Sequence, residues 1–293
     1  MQTGAASAKM DIPAEKPAGD GRLLDADESR YMQGAVEPAT SSVLISNSKY
    51  LNNPYYRDAF SQFALRRHGH DLPNTYVIPM MTKALNEVTD YAEFARLVAE
   101  ERAKNPAFAA WLDRRQLSDF RPDALRSYAE GTLGATIRSF VEDSGYDIEF
   151  LKPRPVQSDF DYILRRRSPL HDIEHMVTGF GTNSAGEQAL AICNTVSGAA
   201  YFTPALAQML GHATLFVSAA GYMRTALHYP ALLPAYTEAM RQGIVMGQAL
   251  TRPLFMEPWE EYLDWTVEEI AAHLGIERGP DHAWDWTSEA GSG

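Results

Sequence analysis

The sequence predicts an all-α protein: a single helical domain with helices around a metal site and an apolar pocket, preceded by a flexible N-terminal tail. Three observations carry this. Apolar residues recur at helical spacing, as in Phe94, Leu97 and Val98 and again in Val267, Ile270 and Leu274. Capping-box pairs stand just before those runs, Asp90 with Glu93 and Thr266 with Glu269. Alternating runs that would read as strands are few.

The elements follow in order. Residues 1–45 are rich in Ala, Gly, Pro, Ser, Asp and Glu with little apolar periodicity, and read as the tail. Residues 46–278 form the helical domain. Asp90 caps one helix, Asn105-Pro106 breaks the chain, and Ala107 to Arg114 resume it. Pro122 marks a loop. Gly131 and Gly134 flank a turn before a helix through Ile137 and Val141, which Gly145 ends. Residues 150–156 hold two prolines and read as extended. A helix from Asp159 carries Tyr162, Ile163 and Arg166 and leads into His171. Gly275 sits where a C-terminal cap belongs. Residues 279–293 form a second tail, with Trp284 and Trp286 available to dock on the body.

Composition excludes several functions. The chain has 293 residues, 45% hydrophobic and 22% charged, which suits a soluble domain with a sizeable core. A net charge of −12 argues against nucleic acid, which needs a basic surface, and against broad electrostatic docking on anionic lipid. Cys193 is the single cysteine, so an intrachain disulfide and a thiolate-rich zinc site are ruled out, and it reads as a core residue. Residues 1–34 lack the apolar core of a signal peptide and are too acidic for a transit peptide. The most apolar stretch, Gly198 to Met223, is interrupted by Pro204, Gln208, Gly211 and His212, and does not read as a membrane span. The expected location is the cytoplasm, with room for peripheral contact at the inner face of a membrane.

The chemistry concentrates in His171-Asp172-Ile173-Glu174-His175. Histidines at i and i+4 lie about 40° apart around a helix, so two imidazoles can reach one metal. Asp172 is about 100° from His171 and could bend toward the ion, whereas Glu174 is farther round and falls outside the ligand set. Gly179, Gly181 and Gly186 do not continue a stiff helix, so the chain turns here and starts another near Ser184. Glu187 in its first turn can face back toward the histidines. Two nitrogens with two carboxylates suit Zn2+, and also Fe2+ or Mn2+. Plainer readings exist: Ser184 with Glu187 also fits an ordinary capping box, and Glu174 fits solvated helix surface.

The pattern H-D-x-x-H, eleven residues, then E resembles the hallmark of the Coq-four-type family of ubiquinone (coenzyme Q) biosynthesis, complete here as His171, Asp172, His175 and Glu187. Gly179, Thr182-Asn183 and Gly186 match its surroundings. Glu130 to Gly134 resembles the family's P-x-G-S/T-L-G, with Ala129 where proline is usual. Tyr162 and Arg166 resemble its Y-x-x-x-R, and Gly247, Pro253-Leu254, Trp259-Glu260-Glu261 and Leu274-Gly275-Ile276 its closing segment. The likeness spans roughly residues 75–278, while the tail and the region before Leu85 depart from the pattern.

The resemblance implies a helical fold, a divalent metal for which zinc is the usual assignment, and a prenylated aromatic small molecule as substrate. The implied reaction is oxidative decarboxylation at ring carbon C1, where hydroxyl replaces carboxyl. Asp172 and Arg166 are the candidate catalytic residues. Arg165 and Arg167 share the chemistry that lets a guanidinium hold a carboxylate, and a solvated basic helix end is at least as good a reading for two of the three arginines. Tyr201, Phe202, Leu206, Met209, Leu210, Phe216 and Met223 could line a tunnel for the prenyl tail, or be ordinary core. The alternative function is a non-catalytic lipid-binding scaffold of a quinone biosynthesis complex, with other proteins of that complex as partners. A homodimer is left open. A metal hydrolase is disfavoured, because Asp172 stands where H-E-x-x-H enzymes carry glutamate.

Overall fold

Helices account for the regular structure of the described residues, which are 48–65, 78–117, 120–144, 156–168 and 170–280 of a computed structural model. All of them belong to one compact unit that begins at Asn47. The tail of residues 1–45, Gly145, residues 150–155, Trp284 and Trp286 lie outside them. In chain order the helices are α1 (Lys49–Asn52), α2 (Pro54–Leu65), α3 (Ile78–Val88), α4 (Tyr91–Lys104), α5 (Pro106–Arg114) and α6 (Leu133–Ser144). They continue with α7 (Asp159–Arg167), α8 (His171–Thr178), α9 (Ser184–Tyr201), α10 (Pro204–His228), α11 (Leu233–Ala249) and α12 (Val267–Leu274). Short 3-10 turns occupy Pro122–Leu125, Pro230–Leu232, Leu254–Met256 and Trp259–Glu261. The described β pairing is one isolated bridge, Thr132 to Thr266.

Local chemistry explains most helix ends. Thr266 and Glu269 form the reciprocal capping box, and Gly275 closes α12 in the left-handed conformation. Asn105 ends α4 and caps α5, with Pro106 in the first helical position. At α4 half of the expected box forms. Asp90 accepts from the Glu93 amide at 3.0 Å, but the Glu93 carboxylate turns to Arg96 at 2.7 Å. The segment from Asp159 divides into two helices, because α7 stops at Arg167 and α8 starts afresh at His171.

Four apolar clusters hold the described helices together, the smallest being Phe63 with Ala220. The largest joins Ile173 and Val177 of α8 to Ala185, Ala189 and Cys193 of α9, Ala239 and Met246 of α11, and Ile270 of α12. Ile173 and Val177 are one turn apart, so they form the buried stripe of α8, each contributing roughly 1.5–3 kcal/mol by burial. A second cluster unites α4, α5, α7 and the start of α10 around Phe94, Phe108, Tyr162, Phe202, Leu206 and Phe255. The third sits on α2 and α10 around Tyr56 and Phe216.

The apolar stretch Gly198 to Met223 is divided among these clusters. Pro204 starts α10, Leu206 and Leu210 join the second cluster, Phe216 joins the third, and Met223 stays 47% exposed. The stretch is therefore not one continuous pocket wall. No described helix is long and apolar enough to cross a membrane.

Helix α11 lies close against α9. A Cβ on Gly243 would stand 2.3 Å from the Ala189 carbonyl oxygen, and one on Gly247 2.7 Å from that of Cys193. Spacing of four residues on both helices lets the backbones approach where a side chain would hold them apart.

Candidate metal centre

The site forms where α8 and α9 meet through a tight turn. Gly179 ends α8 with φ 68°, in the left-handed region that favours glycine. The chain then doubles back so closely that a Cβ on Gly186 would lie 1.7 Å from the Gly181 carbonyl oxygen. Asn183, not Ser184, caps α9: its side-chain oxygen accepts from the amides of Ala185 and Gly186, both at 3.0 Å. Glu187 is thus free of the Ser184 capping box and turns toward α8.

His171, His175 and Glu187 converge, each offering one ligand atom, with all of these atoms within 4.8 Å of one another. His171 Nε2 and His175 Nε2 are 3.0 Å apart. Glu187 Oε2 stands 3.3 Å from His171 Nε2, and Oε1 3.6 Å from His175 Nε2. Two donors on one tetrahedral ion with bonds of about 2.05 Å would be separated by about 3.3 Å, and the observed separations bracket that value.

The outer nitrogens explain which way the rings face. His175 Nδ1 donates to the Phe180 carbonyl at 2.7 Å, which leaves the Nε2 lone pair directed at the cluster. His171 Nδ1 faces Asp172 Oδ1 at 3.3 Å and is oriented in the same sense. The structure thus brings three of the four expected ligands together and places Asp172 beside His171, on the side away from the shared point. The C-terminal end of α8 is held in turn by Arg278, which donates to the carbonyls of Met176 and Val177, and by the Gly279 amide, which donates to Thr178 at 2.7 Å.

The charges are strongly coupled. Desolvation opposes a charged His171, but Glu187 and Asp172 outweigh it and raise its pKa well above the ordinary imidazole value. Desolvation likewise opposes a charged Glu187, yet the two imidazoles hold it below the usual carboxylate range. A divalent cation satisfies the same three groups, drawing on both lone pairs and the carboxylate. His175 is deeply buried, while the His171 side chain is 39% exposed, so the centre opens on the His171 side.

Other expected residues stand elsewhere. Arg166 is 2% exposed, its guanidinium paired with the Glu260 carboxylate and donating to the Glu257 carbonyl at 2.6 Å. That position joins α7 to the closing segment. Glu174 is not solvated surface. It is buried and accepts from Asn194 Nδ2 at 2.7 Å, and burial raises its pKa. Cys193 is a core residue, its thiol pushed up by burial and then by Glu174. The sequence reading missed the Phe180 carbonyl and Asn194. Asn194 lies seven residues after Glu187, on the same face of α9, and that spacing was the available signal.

Fold and site together define an all-helical protein with a His/His/Glu cluster able to bind a divalent metal. Residues 80–280 match the family model for coenzyme Q (ubiquinone) biosynthesis protein Coq4, so this chain belongs to the Coq4 family. It is 30% identical over 162 residues to the mitochondrial ubiquinone biosynthesis protein coq4 of Talaromyces stipitatus, covering 54% of this chain and 50% of that one. The Yarrowia lipolytica protein of the same name is 24% identical over 69% of this chain and 73% of its own length. A crystal structure of a protein assigned to ubiquinone biosynthesis in Nostoc punctiforme superposes with a TM-score of 0.56 at 25% identity, covering 75% of this chain and 96% of that one. This chain spans about half the length of the fungal relative it matches at 30% identity. The expected cytoplasmic location is corrected by these relatives, because the curated proteins it matches are mitochondrial. The physical reason is that the charge and hydropathy of residues 1–34 do not decide a compartment.

Proposed function

We propose that this protein is a metal-dependent enzyme of quinone biosynthesis that replaces the C1 carboxyl of a prenylated aromatic precursor with hydroxyl, using O2 as oxidant. The observation that supports this is the donor count. His171, His175 and Glu187 supply three protein ligands with an open side at His171, the pattern of a catalytic rather than a sealed structural site. A scaffold would favour a fourth protein ligand closing the centre.

When bound, the divalent ion, with zinc suited best to this donor set and iron or manganese compatible with it, supplies a Lewis acid toward substrate oxygen. The chain's own groups prepare that position. Phe180 fixes the His175 tautomer, and Asp172 fixes His171 and adds negative charge next to it. In this reading Asp172 acts through His171, whose Nδ1 it faces, and not as a ligand of the ion.

The test is release of CO2 and formation of the C1-hydroxylated product from aromatic acids with and without a prenyl tail, under air. Wild type is expected to turn over, and Asp172→Asn to keep metal while losing about 10- to 100-fold in activity. Absence of turnover by wild type on every such acid would move the protein to the lipid-binding scaffold. Full turnover by Asp172→Asn would remove that residue from the reaction.

A further inference from the structure

Arg166 and Arg167, adjacent at the end of α7, have opposite surroundings. Arg166 is buried and carries its own counter-charge in Glu260. Arg167 is partly buried, and its guanidinium lies over the Phe255 ring, 5.6 Å from the centroid. Among the described residues no carboxylate reaches Arg167 at ion-pair distance. Glu174 is the carboxylate whose field it feels, and Glu174 bonds instead to Asn194 Nδ2 at 2.7 Å. The Asn194 Oδ1 atom is enclosed and has no partner among the described residues.

These groups come from four elements that meet beside the triad. Arg167 ends α7, Glu174 stands between the two histidines on α8, Asn194 is on α9, and Phe255 is in the 3-10 turn Leu254–Met256, which touches both α7 and α8. A cation partly withdrawn from water, without a contacting counter-ion, is costly unless an anion completes it. Arg167 stands at cation–π distance from Phe255, and the planar fork of N–H donors that a guanidinium carries matches a planar carboxylate.

We propose that Arg167 is the specificity residue that takes the carboxylate of an aromatic acid, beside the metal triad and backed by Phe255. The inference rests on the aromatic-acid reading of the site, and binding alone tests it. Calorimetry on metal-loaded protein compares 4-hydroxybenzoate with 4-methylphenol, in which methyl replaces the carboxylate. Wild type is expected to bind the acid about 10-fold or more tightly than the phenol, the range of a charge-assisted hydrogen bond. Arg167→Gln is expected to abolish that preference while keeping metal stoichiometry and melting temperature. Arg167→Lys, which keeps the charge but not the planar fork, is expected to retain part of it and guards against a folding defect in the first variant.

A preference that survives Arg167→Gln overturns the proposal, as does a wild type without one. A preference lost in Glu187→Ala but kept in Arg167→Gln places the carboxylate on the metal and overturns it too. An Arg167-dependent preference without any CO2 release would sustain the subsite and sink the proposed reaction, so the two failures are distinguishable.

Discussion

Helix α9 joins its neighbours in two different ways. Toward α11 it presents Ala189, Cys193 and Val196 to Gly243 and Gly247, with backbones close enough that a single Cβ would collide. Toward α8 it presents Glu187 and Asn194 to two histidines and a buried glutamate. The first seam is held by close contact and needs no ligand. The second places lone pairs and carboxylates against one another, an arrangement that a cation completes. The rigid seam holds α9 in position, so that the polar seam can keep its donors converged.

The comparison is broken most strongly at the rigid seam. Gly243→Ala forces a methyl against the Ala189 backbone, where no flexible side chain can give way. We expect a loss of about 1–3 kcal/mol or more in urea unfolding, since overpacking is destabilising. Metal stoichiometry should persist in the folded variant, because Glu187 lies on the other face of α9. Loss of metal with unchanged stability would mean that the two seams are not separate.

A smaller effect sharpens the comparison from outside both seams. His212 of α10 packs against the rings of Tyr50 and Tyr56, and its Nε2 is 3.0 Å from the Tyr56 hydroxyl. Burial, and then the charge of Lys49, lower its pKa to about 4. The fold therefore favours neutral His212. Its contribution is present above the ordinary imidazole pKa of 6.5 and is lost as pH falls from there toward about 4. Between pH 7 and pH 5 the urea midpoint of wild type should fall more than that of His212→Gln. Equal falls would show that the His212 environment adds nothing to the acid sensitivity of the fold.

What the sequence disclosed follows from how local each interaction is. His171 and His175 share a face by spacing alone, and the Thr266–Glu269 box closes within one turn, so both were legible. Asn183 took the cap that Ser184 and Glu187 also fit, because two candidate caps stood side by side and sequence does not rank them. The pairing of Arg166 with Glu260 spans 94 residues, and that of Glu174 with Asn194 spans 20. Nothing in an i to i+4 pattern reports such partners, so Arg166 looked available for substrate and Glu174 looked solvated. The break between α7 and α8 had a local signal, Ser168-Pro169 between Arg167 and His171, because proline does not continue a helix, and reading one run from Asp159 into His171 passed over it.

Elemental analysis of purified protein tests the central claim most directly. Wild type should carry one divalent ion per chain. The double variant His171→Ala, Glu187→Ala should carry none while keeping most of its helical circular dichroism, because the apolar stripe of Ile173 and Val177 still anchors α8. Full metal occupancy in that double variant would contradict the account and place the metal elsewhere.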